Sequence, residues 1–235
     1  MSVTFDFDGQ VALVTGAAGA LGSVVATEFA DAGATVVGTD VRSPESGETE
    51  LDPESIEFYE ADFTDEDDVE RVVSTVVEEH GGLDYLLNVA GTWKGGSQVS
   101  ETSLETVRTV FAVNLETMFL ASKHALPHLR TGDGAIVSVS SKSSLSGGTG
   151  DGPYRASKAG VRLLTETIAA ENEGSVRANA VMPDVIDTPA NRAAFPDASF
   201  EEWTDPIDIA RTILVLSSDA MAVTNGAAVP VYGRF

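Results

Sequence analysis

The chain has 235 residues, 43% of them hydrophobic, which is enough to build a full core in one large domain or two small ones. Acidic residues outnumber basic ones 37 to 14, only four of the basic residues are lysines, and the net charge of −23 argues against nucleic acid and anionic membrane as partners. With no cysteine there is neither a disulfide nor a thiol nucleophile, which fits a reducing compartment.

No basic leader opens the sequence and no apolar run approaches the roughly 20 residues that span a membrane, so the expectation is a soluble, cytoplasmic protein. Short apolar runs alternate with helical patterns, the sequence sign of βα units and a parallel sheet. The first predicted strand is Gln10 to Thr15 and the first helix Ala20 to Ala32. Between them lies Thr15-Gly16-Ala17-Ala18-Gly19-Ala20-Leu21-Gly22, a turn that lets backbone amides and a helix N-terminus meet a pyrophosphate. It departs from the GxGxxG fingerprint, and a plain strand-to-helix connection has a similar composition.

The second strand, Thr35 to Asp40, ends in a carboxylate 24 residues after Gly16, placed to accept from ribose hydroxyls and to repel a 2′-phosphate. That favours NAD over NADP, with Arg42 the one nearby group able to take a phosphate. Arg42 to Ser55 is polar and aperiodic and reads as a connection. A strand at Ile56 to Glu60 and a helix at Asp65 to His80, capped by Thr64 or Asp65, follow. Next come a strand at Asp84 to Val89 and a long helix at Ser103 to Arg130, with Thr102 and Glu105 as its capping box. Strands at Ala135 to Ser140, Val176 to Val181 and Ala228 to Val231 alternate with helices at Tyr154 to Glu171 and Pro206 to Ser217. The glycine-rich Gly147 to Gly152 is either a mobile loop beside the site or a plain turn. The fold expected is a single α/β domain over residues 1–235, a Rossmann-type doubly wound parallel sheet of about seven strands with helices on both faces.

Tyr154-Arg155-Ala156-Ser157-Lys158, with Ser141 upstream at the end of an apolar run, reads as an acid/base site. A phenol with a pKa near ~10 is a poor proton carrier at neutral pH unless its anion is stabilised. Lys158, four residues on and on the same helical face, is expected to lower the Tyr154 pKa by its charge, while Ser141 holds a substrate oxygen.

The turn at Gly16, Asp40, Asp62 in ADFTD, Asn88-Val89-Ala90-Gly91, Asn114, Ser141, Tyr154, Lys158 and then Pro183 to Thr188 follow one another in an order that resembles the short-chain dehydrogenase/reductase family. The resemblance covers about Gly9 to Gly233. It implies an NAD-dependent oxidoreductase that interconverts a secondary alcohol and a ketone, acting as a homo-oligomer, with a tetramer favoured. The catalytic set so implied is Asn114, Ser141, Tyr154 and Lys158, with the Asn114 carbonyl holding a water that links Lys158 to solvent. Cofactor contacts are implied at Gly16, Ala18, Leu21, Gly22, Asp40, Val41, Asp62, Phe63, Asn88, Ala90, Gly91, Tyr154, Lys158, Pro183, Ile186 and Thr188. Asp62 with the Phe63 amide would meet the adenine. Asn88, Ala90 and Gly91 would form a floor under adenine and ribose, and Ile186 and Thr188 would bond the nicotinamide carboxamide.

Some positions depart from the family pattern. Glycine stands at 19 where the family has it at 20, a spacing that resembles the extended members, although the length left after Thr188 is short for their substrate domain. Val89 replaces an asparagine, Asp184 stands where glycine is usual, and Tyr232 and Arg234 are unusual near the C-terminus. Asp184 either binds a polyol hydroxyl or points into solvent. Lys94 and Lys142 are read as solvent-exposed, with contact to an anionic substrate the alternative. His124 and His128 have the spacing of a metal pair, but no third ligand follows, and a structural role is expected. Trp93, Trp203 and the phenylalanines are read as core or lid, and Ala190 to Trp203 as the substrate lid. Two other readings stay open: an NADPH-dependent 3-oxoacyl reductase, and a relative that binds dinucleotide without turnover. The acid excess with so few lysines resembles proteins of extreme halophiles, against the alternative of an acidic mesophilic enzyme.

Overall fold

A computed structural model of the chain describes residues 5–44, 51, 56–129 and 134–233. Seven strands, β1 (Val11–Thr15), β2 (Thr35–Asp40), β3 (Glu57–Glu60), β4 (Tyr85–Asn88), β5 (Gly134–Val139), β6 (Val176–Pro183) and β7 (Ala228–Val231), form one sheet in the order β3-β2-β1-β4-β5-β6-β7. Every pairing is parallel. The helices are α1 (Ala20–Asp31), α2 (Glu66–His80), α3 (Leu104–Phe111), α4 (Thr117–Ala125), α5 (Gly152–Glu171), α6 (Pro189–Ala194) and α7 (Pro206–Ser217). The doubly wound sheet expected from the alternating pattern is therefore what forms.

Strands buried on both faces read as continuous apolar runs, and the two-residue period divides them between two cores. Ala12, Val14, Leu87 and Val137 face α1 and α7, packing with Val25, Phe29, Ile209 and Ile213. Val11, Leu13, Leu86 and Ile136 face the other way, against Val72 and Val76 of α2, Met118 of α4 and Val161 of α5. Each of these buried valine, leucine, isoleucine, phenylalanine and methionine side chains contributes roughly 1.5–3 kcal/mol. Among the described residues, no helix is long and apolar enough to cross a membrane.

At the sheet's edges, β3 presents exposed Glu57 and Glu60, and β7 carries an exposed Pro230. Tyr59 of β3 donates to Glu57 at 2.5 Å, and its hydroxyl also lies 2.9 Å from Glu79 of α2.

Several expected elements change on folding. The helix expected from Ser103 to Arg130 is broken into α3, a π-helical turn at Ala112–Glu116 and α4. It stops at Ala125 because Pro127 has no amide hydrogen and its ring crowds the preceding turn; Arg130 lies outside the described residues. Its cap is Ser103, whose hydroxyl accepts from the Thr106 amide at 3.0 Å, not the expected Thr102–Glu105 box, since the Thr102 hydroxyl donates back to Gln98. Of the two candidates for α2, Asp65 is the cap. The expected lid begins with the unforeseen α6, started by Thr188 and Pro189. Most of the expected connection from Arg42 to Ser55 lies outside the described residues.

Candidate active site

The chain leaves β1 toward β2 and β3 and returns on the other side as β4, so a crevice opens at the carboxyl ends of β1 and β4. Gly16, just after β1, has φ +69°, and a Cβ there would fall 2.7 Å from the Ala90 Cα in the loop after β4. Gly22, in the first turn of α1, is tighter still, since a Cβ would stand 2.0 Å from the Gly16 carbonyl oxygen. The two glycines let turn, helix and neighbouring loop close on one another. Ala18 and Leu21 are buried beside them. Gly19 caps α1 with no side chain to bond its amides, and the first turn holds no acid. In so acidic a chain, a helix start left bare of carboxylates is suited to an anion. The cradle fits a dinucleotide pyrophosphate.

Asp40 ends β2 on the same side. Its carboxylate accepts from the Arg42 amide at 3.1 Å, and from the Arg42 guanidinium at 3.4 Å through both oxygens. The guanidinium is half exposed and reaches over the glycine turn, with Nη2 3.5 Å from the Cβ position of Gly19. Val41 is exposed beside it, and Phe63 is buried. Asp62 is exposed, and one of its carboxylate oxygens accepts from both the amide and the hydroxyl of Thr64.

The acid/base group gathers at the ends of β4 and β5. Ser141 follows β5 and hydrogen-bonds the Tyr154 phenol, while its oxygen also accepts from the Ser143 amide at 3.1 Å. Tyr154 stands in the first turn of α5, and Lys158 lies one turn on, buried, with Nζ donating to the Val139 carbonyl at 2.8 Å. Asn114 sits in the π-helical turn and is 1% exposed. Its amide oxygen accepts from the Thr92 amide at 2.7 Å, and its Nδ2 donates to the Thr92 carbonyl and the Ser157 hydroxyl at 3.0 Å each. Gly91 faces both, for a Cβ on it would lie 3.1 Å from Lys158 Nζ and 3.2 Å from Asn114 Oδ1. All four expected catalytic residues thus meet at one end of the sheet.

Two electrostatic details differ from expectation. Burial pushes the Tyr154 phenol up from its usual pKa, with the Ser141 hydrogen bond only partly opposing it. The charge influences on the phenol come from Asp151, which raises it, and Arg155, which lowers it, while Lys158 Nζ donates to the Val139 carbonyl. Burial draws Lys158 down to about 8. Between that value and the 10.5 of an exposed lysine, the unfolded chain holds a proton that the folded chain has lost, so this residue makes stability rise with pH across the window. Relative to Lys158→Met, the native chain should therefore gain up to about 3 kcal/mol between pH 8 and 10.5 in denaturant melts without nucleotide. A pH-independent difference would contradict it.

Other expected residues are engaged in ways sequence does not reveal. The Asn88 side chain turns inward to Ser122 and Ser138, at 3.3 Å each, so only its backbone faces the crevice. Ala90 holds its place through its amide, which donates to Thr15 at 3.2 Å. Pro183 ends β6, the Ile186 carbonyl accepts from Asn191, and the Thr188 hydroxyl caps α6. Arg155 flanks the glycine-rich loop, donating to the Ser146 carbonyl at 3.2 Å and pairing with Asp151 at 2.6 Å. Lys142 is exposed as expected, but it pairs with Asp184 at 2.5 Å. His124 bonds Glu66 at 3.0 Å beside Lys123. Among the described residues, the one group with three convergent metal-type ligands is Glu57, Glu79 and His80, at the opposite edge of the sheet, and His128 has no part in it.

The family model described as "short chain dehydrogenase" matches residues 10–199. A 3-oxoacyl-[acyl-carrier-protein] reductase, FabG, of Thermotoga maritima is 33% identical over 240 residues, covering 96% of this chain and 97% of that protein. The ligand-free aldohexose dehydrogenase of Thermoplasma acidophilum superposes with a TM-score of 0.85 at 27% identity, over 97% of this chain and 93% of its own. A short chain dehydrogenase from Burkholderia cenocepacia in complex with NADP gives 0.83 at 27% identity, over 97% and 98%. With the fold, the glycine turn and the Ser-Tyr-Lys group in their relative positions, the chain belongs to the short-chain dehydrogenase/reductase family and is an oxidoreductase.

Proposed function

We propose that this protein interconverts a secondary alcohol and a ketone with NAD as its cofactor. The observation that carries the reading is the convergence of Ser141, Tyr154, Lys158 and Asn114 beside a crevice fit for a dinucleotide. Gly16, Ala18, Leu21 and Gly22 hold the pyrophosphate, and Asp40 with Val41 takes the adenosine ribose. Asp62 and Phe63 meet the adenine, over a floor of Asn88 backbone, Ala90 and Gly91. Pro183, Ile186 and Thr188 orient the nicotinamide end.

When bound, NAD supplies a two-electron acceptor for the hydrogen leaving the carbinol carbon. Tyr154 takes the hydroxyl proton, Ser141 donates to the oxygen as its charge changes, and the carbonyl forms as the O–H and C–H bonds break. Lys158 binds ribose hydroxyls and passes the proton onward, through water held by the Asn114 carbonyl; in reduction the same groups work in reverse. Lys158 stands near its titration point, as suits a proton relay.

NAD rests on Asp40, whose carboxylate accepts two ribose hydroxyls and repels a phosphate. A second reading, NADPH-dependent reduction of a 3-oxoacyl thioester, is favoured by Arg42, poised over the glycine turn. Titration with NADH and NADPH in molar potassium chloride, followed by nicotinamide fluorescence, separates them. NADH is expected to bind at least about tenfold tighter, with the gap closing in Asp40→Ala. Tighter NADPH binding would favour the second reading, and binding without turnover of any alcohol or ketone would favour a non-catalytic relative.

The net charge of −23 supports work in concentrated salt, while work inside a cell and as a homo-oligomer, with a tetramer favoured, rests on the family resemblance alone. The melting temperature is expected to climb between dilute and molar potassium chloride; a flat response would count against the halophilic reading. Sedimentation in molar salt reads the assembly.

A further inference from the structure

The loops after β4 and β6 meet above the end of β5, the strand that lies between them and leads into Ser141. Trp93, from the first loop, contacts Phe195 at the end of α6, with ring centroids 5.9 Å apart and planes inclined at 62°. Phe195 meets Trp203 edge-on at 6.5 Å, and Trp203 meets Phe200 at 4.8 Å. Rings read from the sequence as core or lid therefore form an aromatic arch from the loop after β4 to the segment after β6, at the end of the sheet that also carries Ser141. Trp93 is 46% and Phe195 43% exposed, so the arch keeps aromatic surface open to a ligand. Gly95 makes room for the indole, since a Cβ there would lie 2.5 Å from Trp93 Cζ2.

The same end of the sheet carries a polar pair. Lys142 and Asp184 immediately follow Ser141 and Pro183, and are bonded at 2.5 Å. Lys142 Nζ also lies 4.9 Å from the centre of the Tyr232 ring. Each side chain is about half exposed.

Resting on the alcohol–ketone reading above, we propose that the site takes an uncharged, ring-shaped, polyhydroxylated substrate, a cyclic polyol or sugar. The aromatic arch suits the C–H face of such a ring, Asp184 accepts from neighbouring hydroxyls and Lys142 donates to a ring or hydroxyl oxygen. A purely apolar ring would bury both charges without replacing their water. An anionic thioester would need an unmatched cation, yet Lys142 is balanced by Asp184 in a chain of net charge −23. One ring carbinol is oxidised, its hydrogen leaving with two electrons to NAD and its hydroxyl proton to Tyr154.

The chain's two tryptophans are both in the arch, so its intrinsic emission reads this site whether or not turnover occurs. The full-length protein in molar potassium chloride, with and without saturating NADH, is titrated with D-glucose, myo-inositol, cyclohexanol and acetoacetyl-CoA. Expected is a saturable emission change for at least one ring polyol, at concentrations at least about tenfold below those for cyclohexanol, with the advantage falling about tenfold in Asp184→Asn. Cyclohexanol or the thioester binding best, an advantage unchanged in Asp184→Asn, or no response to either ring polyol would each overturn the proposal. Loss of NADH binding would instead count against the cofactor reading, leaving the nucleotide-free titration to decide the substrate class.

Discussion

Tyr154→Phe should lower kcat by at least about a thousandfold while NADH binding, read by nicotinamide fluorescence, stays within about twofold of the native value. The substitution removes one oxygen from a half-buried ring, and leaves Lys158 on the Val139 carbonyl and Asn114 on Thr92. What disappears is the hydroxyl proposed to exchange the proton, which is also the partner of the Ser141 hydroxyl. Ser141 keeps its bond from the Ser143 amide, so the turn after β5 should hold its shape. Near-native turnover would remove Tyr154 from the chemistry and with it the reading of the whole group.

Gly22→Ala should cost about 2–3 kcal/mol of stability and weaken nucleotide binding by at least about tenfold, although it adds only a methyl group. That methyl would stand 2.0 Å from the Gly16 carbonyl oxygen and 2.7 Å from its carbonyl carbon, and both belong to backbone. Relief requires moving the turn, yet Gly16 is itself confined by Ala90, and the Ala90 amide is tied to Thr15. Gly9→Ala is a useful contrast, since Gly9, unlike Gly22, has a positive φ, and nothing lies within 4 Å of the added carbon. It should lose stability through backbone strain alone and spare the nucleotide. Equal nucleotide loss in both variants would show that the cradle argument is wrong.

The parts legible in the sequence were those governed by local pattern. β2, β7 and α7 occupy the expected residues because apolar runs, a terminal carboxylate and an Asp205-Pro206 start are local signals. The grouping of Asn114, Ser141, Tyr154 and Lys158 was also legible, since their order along the chain carries the resemblance. The π-helical turn was not, because Ala112-Val113-Asn114-Leu115-Glu116 suits an ordinary helix; what accompanies the distortion is the hold of Thr92 and Ser157 on the Asn114 amide, contacts remote in sequence. The rise in the Tyr154 pKa was hidden for the same reason, since burial is a tertiary property. α6 does have a local signal, a threonine followed by proline, the usual cap and first residue of a helix. The aromatic arch had none, for Trp93 and Phe195 meet only because β4 and β6 flank β5.

Concentrated salt removes the mutual repulsion that otherwise keeps highly acidic molecules apart, and an open parallel sheet offers two unpaired margins to its neighbours. Here one margin bears the carboxylates of Glu57 and Glu60, and the other an exposed proline with no amide hydrogen to offer. Resistance to strand-by-strand polymerisation is thus written into backbone chemistry on the Pro230 side, where screening cannot erase it.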